Sequence, residues 1–174
     1  MHLRLVAAGA EFAELFFEWR HEAETVRFNP MKNASVAELR ERLSAAGTDL
    51  TAIDLYESFF WMIQVDGVLA GHVSLNNVNK MMKTSEIGYG VASEFRGKGV
   101  ATRAVHLLAE RFFAGTDYRK LIAFVHEGNI SSHKVLEKIG FKAEGLLREQ
   151  FLIQGAPANE VVYGLLRRDL KERM

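Results

Sequence analysis

A chain of 174 residues is long enough for one well-packed domain with its own core. Its 22 basic and 22 acidic side chains cancel, which excludes the electrostatic footprint of a nucleic-acid binder or of a protein held on an anionic membrane. The absence of cysteine excludes disulfides, thiolate metal ligands and an acyl-cysteine route, and it suits a cytoplasmic protein.

In chain order, His2-Leu3-Arg4-Leu5-Val6 reads as a short first strand. A helix is expected over residues 11–26, with Phe12, Leu15, Phe16 and Trp19 on one stripe. A second helix starts near Ser35, where Ser35-x-x-Glu38 forms a capping box, and runs through Leu39 and Leu43. The apolar run Phe59-Phe60-Trp61-Met62-Ile63 is strand-sized and too short for a membrane span or a secretory leader. Asp66-Gly67 marks a hairpin between strands at residues 59–65 and 68–75. Residues 76–84 are polar and read as a loop before a strand at residues 86–91. A long amphipathic helix begins at Val100, a further strand covers residues 120–126, and a short helix covers residues 131–139, stopped by Gly140. Two strands, at residues 141–153 and 161–168, close the chain. The only prolines, at 30 and 157, give no Pro-rich linker, so residues 1–174 are expected to form a single domain. The order β-α-α-β-β-β-α-β-α-β-β implies a mixed, mostly antiparallel central sheet of about seven strands flanked by about four helices, in the α/β (α+β) class.

The segment that carries chemistry is Arg96-Gly97-Lys98-Gly99-Val100-Ala101, between a strand and a helix. Two glycines let successive N–H groups turn toward one point, and a helix N-terminus offers unpaired N–H groups at its positive end. Arg96 and Lys98 add cationic side chains, so the loop suits a phosphate or pyrophosphate. It is not a Walker loop, because Gly99 stands where Ser or Thr must follow the lysine and Ala92 where the first glycine would be. Nor is it a dinucleotide fingerprint, since Thr102 occupies the third glycine position.

The loop resembles the acetyl-coenzyme A pyrophosphate loop of the GNAT superfamily of N-acetyltransferases. Glu86-Ile87-Gly88-Tyr89, Asn129-Ile130-Ser131-Ser132 and Glu137-Lys138-Ile139-Gly140-Phe141-x-x-Glu144-Gly145 extend the likeness toward ribosomal-protein alanine acetyltransferases and spermidine acetyltransferases. The resemblance implies the GNAT fold, acetyl-coenzyme A as co-substrate with no metal, and direct transfer of an acetyl group to a primary amine. That amine belongs to a protein N-terminus, a polyamine or another small amine. A coenzyme A-binding sensor without turnover, and transfer to a nucleotide-linked amino sugar, stay open as alternatives. Small-molecule or peptide amines are the implied partners, with no nucleic acid and no membrane. Oligomeric state stays open, a homodimer through the long closing strands being common in the superfamily.

The resemblance also implies residue roles. Backbone groups of Tyr89, Gly90 and Val91 would hold the acetyl carbonyl and pantetheine. Amides of Arg96, Gly97, Lys98, Gly99, Val100 and Ala101 would hold the pyrophosphate. Asn129 and Ser132 would contact the thiol end, with Ser132 as the acid that protonates the departing thiolate. Many relatives carry a tyrosine for that task, and Leu136 stands in its place. Asn129 and Ser132 are also types that cap or back-bond to helices. Glu86 is the first choice for the general base, with His72, His126 or water as alternatives. Strand alternation puts Glu86, Gly88 and Gly90 on one face, nearly bare of side chains, with room for a slender ligand. Trp19, Arg20, Glu22, Glu24, Arg27 and Phe28 are expected on one acceptor wall, and Glu149 and Tyr163 on the other. No His/Asp/Glu grouping has metal-ligand spacing.

Overall fold

A computed structural model describes residues 1–29 and 35–171; Pro30 lies outside them. Seven strands, β1 (Leu3–Ala7), β2 (Phe59–Val65), β3 (Val68–Asn79), β4 (Thr84–Val91), β5 (Lys120–His126), β6 (Lys142–Ile153) and β7 (Ala156–Leu166), form one sheet. Its order is β1-β2-β3-β4-β5-β7-β6. Every neighbouring pair is antiparallel except β4–β5. The helices are α1 (Ala13–Arg20), α2 (Ala23–Phe28), α3 (Val36–Ala45), α4 (Val100–Gly115) and α5 (Ile130–Ile139).

Both faces of the sheet are covered, and β2 shows how its sequence supplies both cores. Phe59, Trp61, Ile63 and Val65 enter the core shared with α4 and α5, while Phe60 and Met62 enter the core shared with α1 and α3. Strand alternation divides one apolar run between two layers. The hairpin turn has Asp66 at φ 48° and Gly67 at φ 89°, as a two-residue turn matched to strand twist requires. Ser35 accepts from the Glu38 amide while Glu38 accepts from the Ser35 amide, closing the expected capping box.

Three local expectations need correction. The first helix does not run unbroken from 11 to 26: it ends at Arg20, and Glu22 is extended (φ −59°, ψ 137°) before α2 starts. The break aims Glu22 at residue 93, whose amide donates to its Oε1 at 3.1 Å, and at the Arg96 guanidinium. The expected loop at residues 76–84 is mostly strand, since β3 runs to Asn79 and β4 starts at Thr84. Asn79 Oδ1 accepts from the Met82 amide at 2.9 Å and tightens the turn between them. The last strand starts at Ala156, five residues earlier than expected, because Gln154 (φ 51°) and Gly155 (φ 81°) make a two-residue turn. Pro157 then pairs with Leu152 where β7 has β6 on one side only, so its missing N–H breaks no ladder with β5.

Candidate active site

The parallel β4–β5 pairing has only three rungs, Thr84↔Lys120, Ser85↔Leu121 and Glu86↔Ile122. Beyond them the strands part, and peptide groups that would continue the ladder have no strand opposite. A cleft of about 1470 Å³ opens there, between residues 87–91 of β4 and 123–126 of β5. One end of it is the glycine loop, and the other is formed by α1, α2 and the β6–β7 hairpin.

At the loop end, Gly97 (φ 72°) and Gly99 (φ 77°) both lie in the left-handed region, where a side chain is strained. A Cβ at either position would meet no atom within 4 Å, so backbone conformation, not crowding, demands glycine. The space above the loop is open. Gly99 is the N-cap of the 16-residue α4 and brings no side-chain cap, which leaves the N–H groups of the first turn facing the cleft. Arg96, Gly97, Gly99, Val100 and Ala101 line it.

The Arg96 side chain behaves differently. Its Nε donates to the Val91 carbonyl at 3.0 Å, its Nη1 to Glu24 at 2.9 Å, and its Nη2 to Glu22 and to Thr25 Oγ1. The guanidinium ties α2 to the loop and carries no free charge for a phosphate. The Lys98 ammonium lies 5.7 Å above the Phe95 ring and outside the cleft lining. Lys134 and Lys138, one turn apart on α5, line the cleft instead. Their i, i+4 spacing was visible in the sequence, but the packing of α5 beside the loop was not.

At the middle of the cleft, Asn129 caps α5: its Oδ1 accepts from the Ser132 amide at 3.2 Å and from Ser131 Oγ at 2.9 Å. It lines the cleft at the same time, as does Ser132. The Ser132 hydroxyl makes no hydrogen bond among the described residues, so it does not back-bond to its helix. The Tyr89 hydroxyl donates to the Ser132 carbonyl at 3.4 Å, and burial pushes this phenol up to about 12. That phenol was missed by reasoning that read Tyr89 only for its backbone. Its position on the Ile87/Val91 side of β4 is the signal that pointed toward α5. Leu136 is fully buried in the core between α4 and the sheet.

Gly88 and Gly90 are not a bare face. A Cβ at Gly90 would lie 2.6 Å from the His72 ring, and one at Gly88 2.8 Å from Ser74 Oγ. The glycines make room for β3 side chains that the register places opposite, Gly90 facing His72 and Gly88 facing Ser74. Glu86 faces Asn76, lines the cleft and accepts from Asn77 Nδ2 at 2.7 Å. Glu160 of β7 lines the cleft too, and partial burial, with Glu86 adding repulsion, raises its carboxyl above the usual range.

The two histidines separate. His126 accepts from the Gly128 amide at 2.9 Å and packs between Phe28 and Phe151. His72 lies edge-on to Phe16 at 4.5 Å, and burial, then Arg20 and Arg42, depress it to about 3. It is held neutral and is poorly matched to the work of a base near pH 7.

On the acceptor side, Trp19, Arg20, Glu24 and Phe28 line the cleft, joined by Gln150 and Phe151 of β6. Arg27 lies over the Phe28 ring and outside the lining. Tyr163 is buried, with its hydroxyl on His133 Nδ1 at 2.9 Å, and Glu149 sits on an exposed bulge at φ 51°. Neither reaches the cleft. Among the described residues no group of three or more His, Asp or Glu side chains converges to hold a metal ion. No helix among them is long and apolar enough to cross a membrane.

Residues 1–142 match the family described as acetyltransferase (GNAT) domain. The putative ribosomal N-acetyltransferase YdaF of Bacillus subtilis (strain 168) is 36% identical over 104 residues, 60% of this chain and 57% of that protein. Spermidine N(1)-acetyltransferase of Escherichia coli (strain K12) is 32% identical over 101 residues, 58% of this chain and 54% of that protein. The chain thus spans little more than half the length of these curated relatives. A crystal structure of a probable acetyltransferase matches at a TM-score of 0.82 with 27% identity, covering 97% of this chain and 94% of the other.

Proposed function

The chain belongs to the GNAT acetyltransferase family, and on that premise we propose that it moves an acetyl group from acetyl-coenzyme A directly to a primary amine. The observation that carries this reading is the open, uncapped start of α4 above Gly97 and Gly99, at the mouth of the cleft between β4 and β5. Amides of residues 96–101 would hold the pyrophosphate, with Lys134 and Lys138 supplying the charge that Arg96 does not. Parted peptide groups of Tyr89, Gly90 and Val91 would hold the pantetheine and polarise the thioester carbonyl.

Transfer requires a bond to form between the amine nitrogen and the carbonyl carbon while the carbon–sulfur bond breaks. Glu86, directly or through a water, takes the proton that the amine loses. Ser132 Oγ, free of protein partners beside the Tyr89 phenol, supplies a proton to the departing thiolate. With no cysteine to carry the acetyl group, direct transfer holds both substrates in the cleft together.

Calorimetry with acetyl-coenzyme A, followed by thiol release with polyamines, amino sugars and N-terminal peptides, tests the reading. Binding with amine-dependent thiol release is expected. Ser132→Ala is expected to keep the affinity and lose about 10²-fold or more in rate, the usual worth of a positioned acid. Absence of acetyl-coenzyme A binding overturns the reading. The core leucine at position 136 favours a second reading, a coenzyme A sensor, which tight binding without turnover on any of these amines would support.

A further inference from the structure

Glu24, Glu86 and Glu160 all bring carboxylates to the cleft lining, and the protein itself engages the first two. Glu24 accepts from Arg96 Nη1 at 2.9 Å. Glu86 accepts from Asn77 Nδ2 at 2.7 Å and has Arg42 nearby, where burial lowers the guanidinium pKa and Glu86 opposes that shift. The Glu160 side chain makes no hydrogen bond and no ion pair among the described residues. Burial, then repulsion from Glu86, raises its carboxyl above the usual range, and an incoming cation relieves both.

A second, independent observation is the wall beside it. Glu160 stands opposite His126 in the β5–β7 ladder, and Phe124, two residues back along β5, shares that face of the sheet. The His126 ring packs 5.5 Å from Phe28 and 6.1 Å from Phe151, centre to centre. Phe28, Phe124 and Phe151 all line the cleft, and none of them enters either core of the fold. Phe124 is 39% exposed although β5 is an interior strand of the sheet. Aromatic rings gathered at one site and left out of both cores form an apolar surface suited to a ligand that covers it.

Strand register relates the two features. Along β5, Ile122 stands opposite Glu86 and His126 opposite Glu160, so Phe124 lies between the positions of the two carboxylates. An amine held at Glu160 stays on the sheet face that carries Glu86, and its substituent meets the phenylalanines. The second ammonium of a polyamine would find no free carboxylate among the described lining residues. A molecule with one charge and one ring finds a complement for each part.

We propose that Glu160 anchors the acceptor's ammonium and that Phe28, Phe124 and Phe151 hold its substituent, so that the favoured acceptor is a monoamine carrying an aromatic ring. This rests on the acetyltransferase reading for the reaction, while the aromatic slot can be read by binding alone.

The test uses the full chain and acetyl-coenzyme A with phenethylamine, ethylamine and spermidine as acceptors. Phenethylamine is expected to have a kcat/KM about tenfold or more above either of the others. Phe124→Ala and Phe151→Ala are each expected to shrink its advantage over ethylamine about fivefold or more, through KM and not kcat, with Phe151→Tyr restoring it. Glu160→Gln is expected to raise KM for phenethylamine about tenfold or more, and Glu160→Asp to recover part of the loss. A preference for spermidine or ethylamine, an advantage unmoved by both alanine variants, or a KM unmoved by Glu160→Gln overturns the proposal. Saturation-transfer NMR on the ring protons of phenethylamine gives a readout free of turnover. A signal is expected with the coenzyme A-loaded chain and is expected to fall in Phe151→Ala; no signal, or one unchanged in that variant, also overturns it. If acetyl-coenzyme A fails to bind yet the bare chain gives a phenethylamine signal that Phe151→Ala weakens, the acetyltransferase reading falls and the slot stands.

Discussion

The two ends of the cleft are built by different means. The loop end is contiguous backbone: two left-handed glycines and the first turn of α4, all within residues 96–102. The acceptor end is side chains gathered from α1, α2, β3, β4, β6 and β7, remote in sequence. A backbone site needs few particular side chains, and Arg96 illustrates this, since its guanidinium is spent on Glu22 and Glu24. A side-chain site depends on which charges are paired, and Arg20 illustrates that, since its guanidinium donates to Asn29 and, among the described residues, is in no ion pair. The loop end thus follows from a short stretch of backbone, whereas the acceptor end depends on how the helices lean on the sheet.

Three measurements test this contrast. The largest effect is expected from pH at the acceptor end. Burial, then Arg20 and Arg42, depress His72 from its ordinary 6.5 to about 3, so between these values the unfolded chain binds a proton that the folded chain refuses. Stability from this group is therefore complete above about pH 6.5 and lost as pH falls toward 3, at up to ~1.4 kcal/mol per pH unit. Urea unfolding across this range should show the slope, and His72→Gln should flatten it. An unchanged profile in the variant would mean that His72 is not buried beside two cations.

The next effect concerns the loop end. Arg96→Met leaves Glu22 and Glu24 without their cation and is expected to cost about 2 kcal/mol of stability, a discounted figure because the groups are only partly buried. Unchanged stability with lost acetyl-coenzyme A affinity would make Arg96 a ligand contact and erase the contrast between the two ends.

The smallest effect is at Ser35. Ser35→Ala removes the capping box of α3, the helix that carries Arg42, at a cost of about 1 kcal/mol. Faster amide exchange at Glu38 should accompany it. If exchange there is unaltered, α3 is held by packing alone and its cap plays no part in placing Arg42.

Local signals proved legible where a few adjacent residues decide the outcome. The capping box at Ser35, the Asp66-Gly67 turn, the Gly140 stop and the strand at Lys120–His126 are of this kind. The break between α1 and α2 was not legible, because the partner that Glu22 and Glu24 meet there, Arg96, is more than 70 residues away. The apparent bareness of Gly88 and Gly90 misled for the same reason: the side chains that occupy their space belong to β3.

By itself, the amino-acid order determined the succession of elements, the family resemblance and the glycine loop. Each follows from propensities and backbone preferences that act over a few residues. Only the tertiary structure decided that Arg96 is neutralised, that Tyr89 reaches Ser132, and that Arg20, His72, Glu86 and Glu160 line one cleft. Coulomb interactions and burial depend on distance in space, and that distance is set when two helices pack across strands far away in the chain.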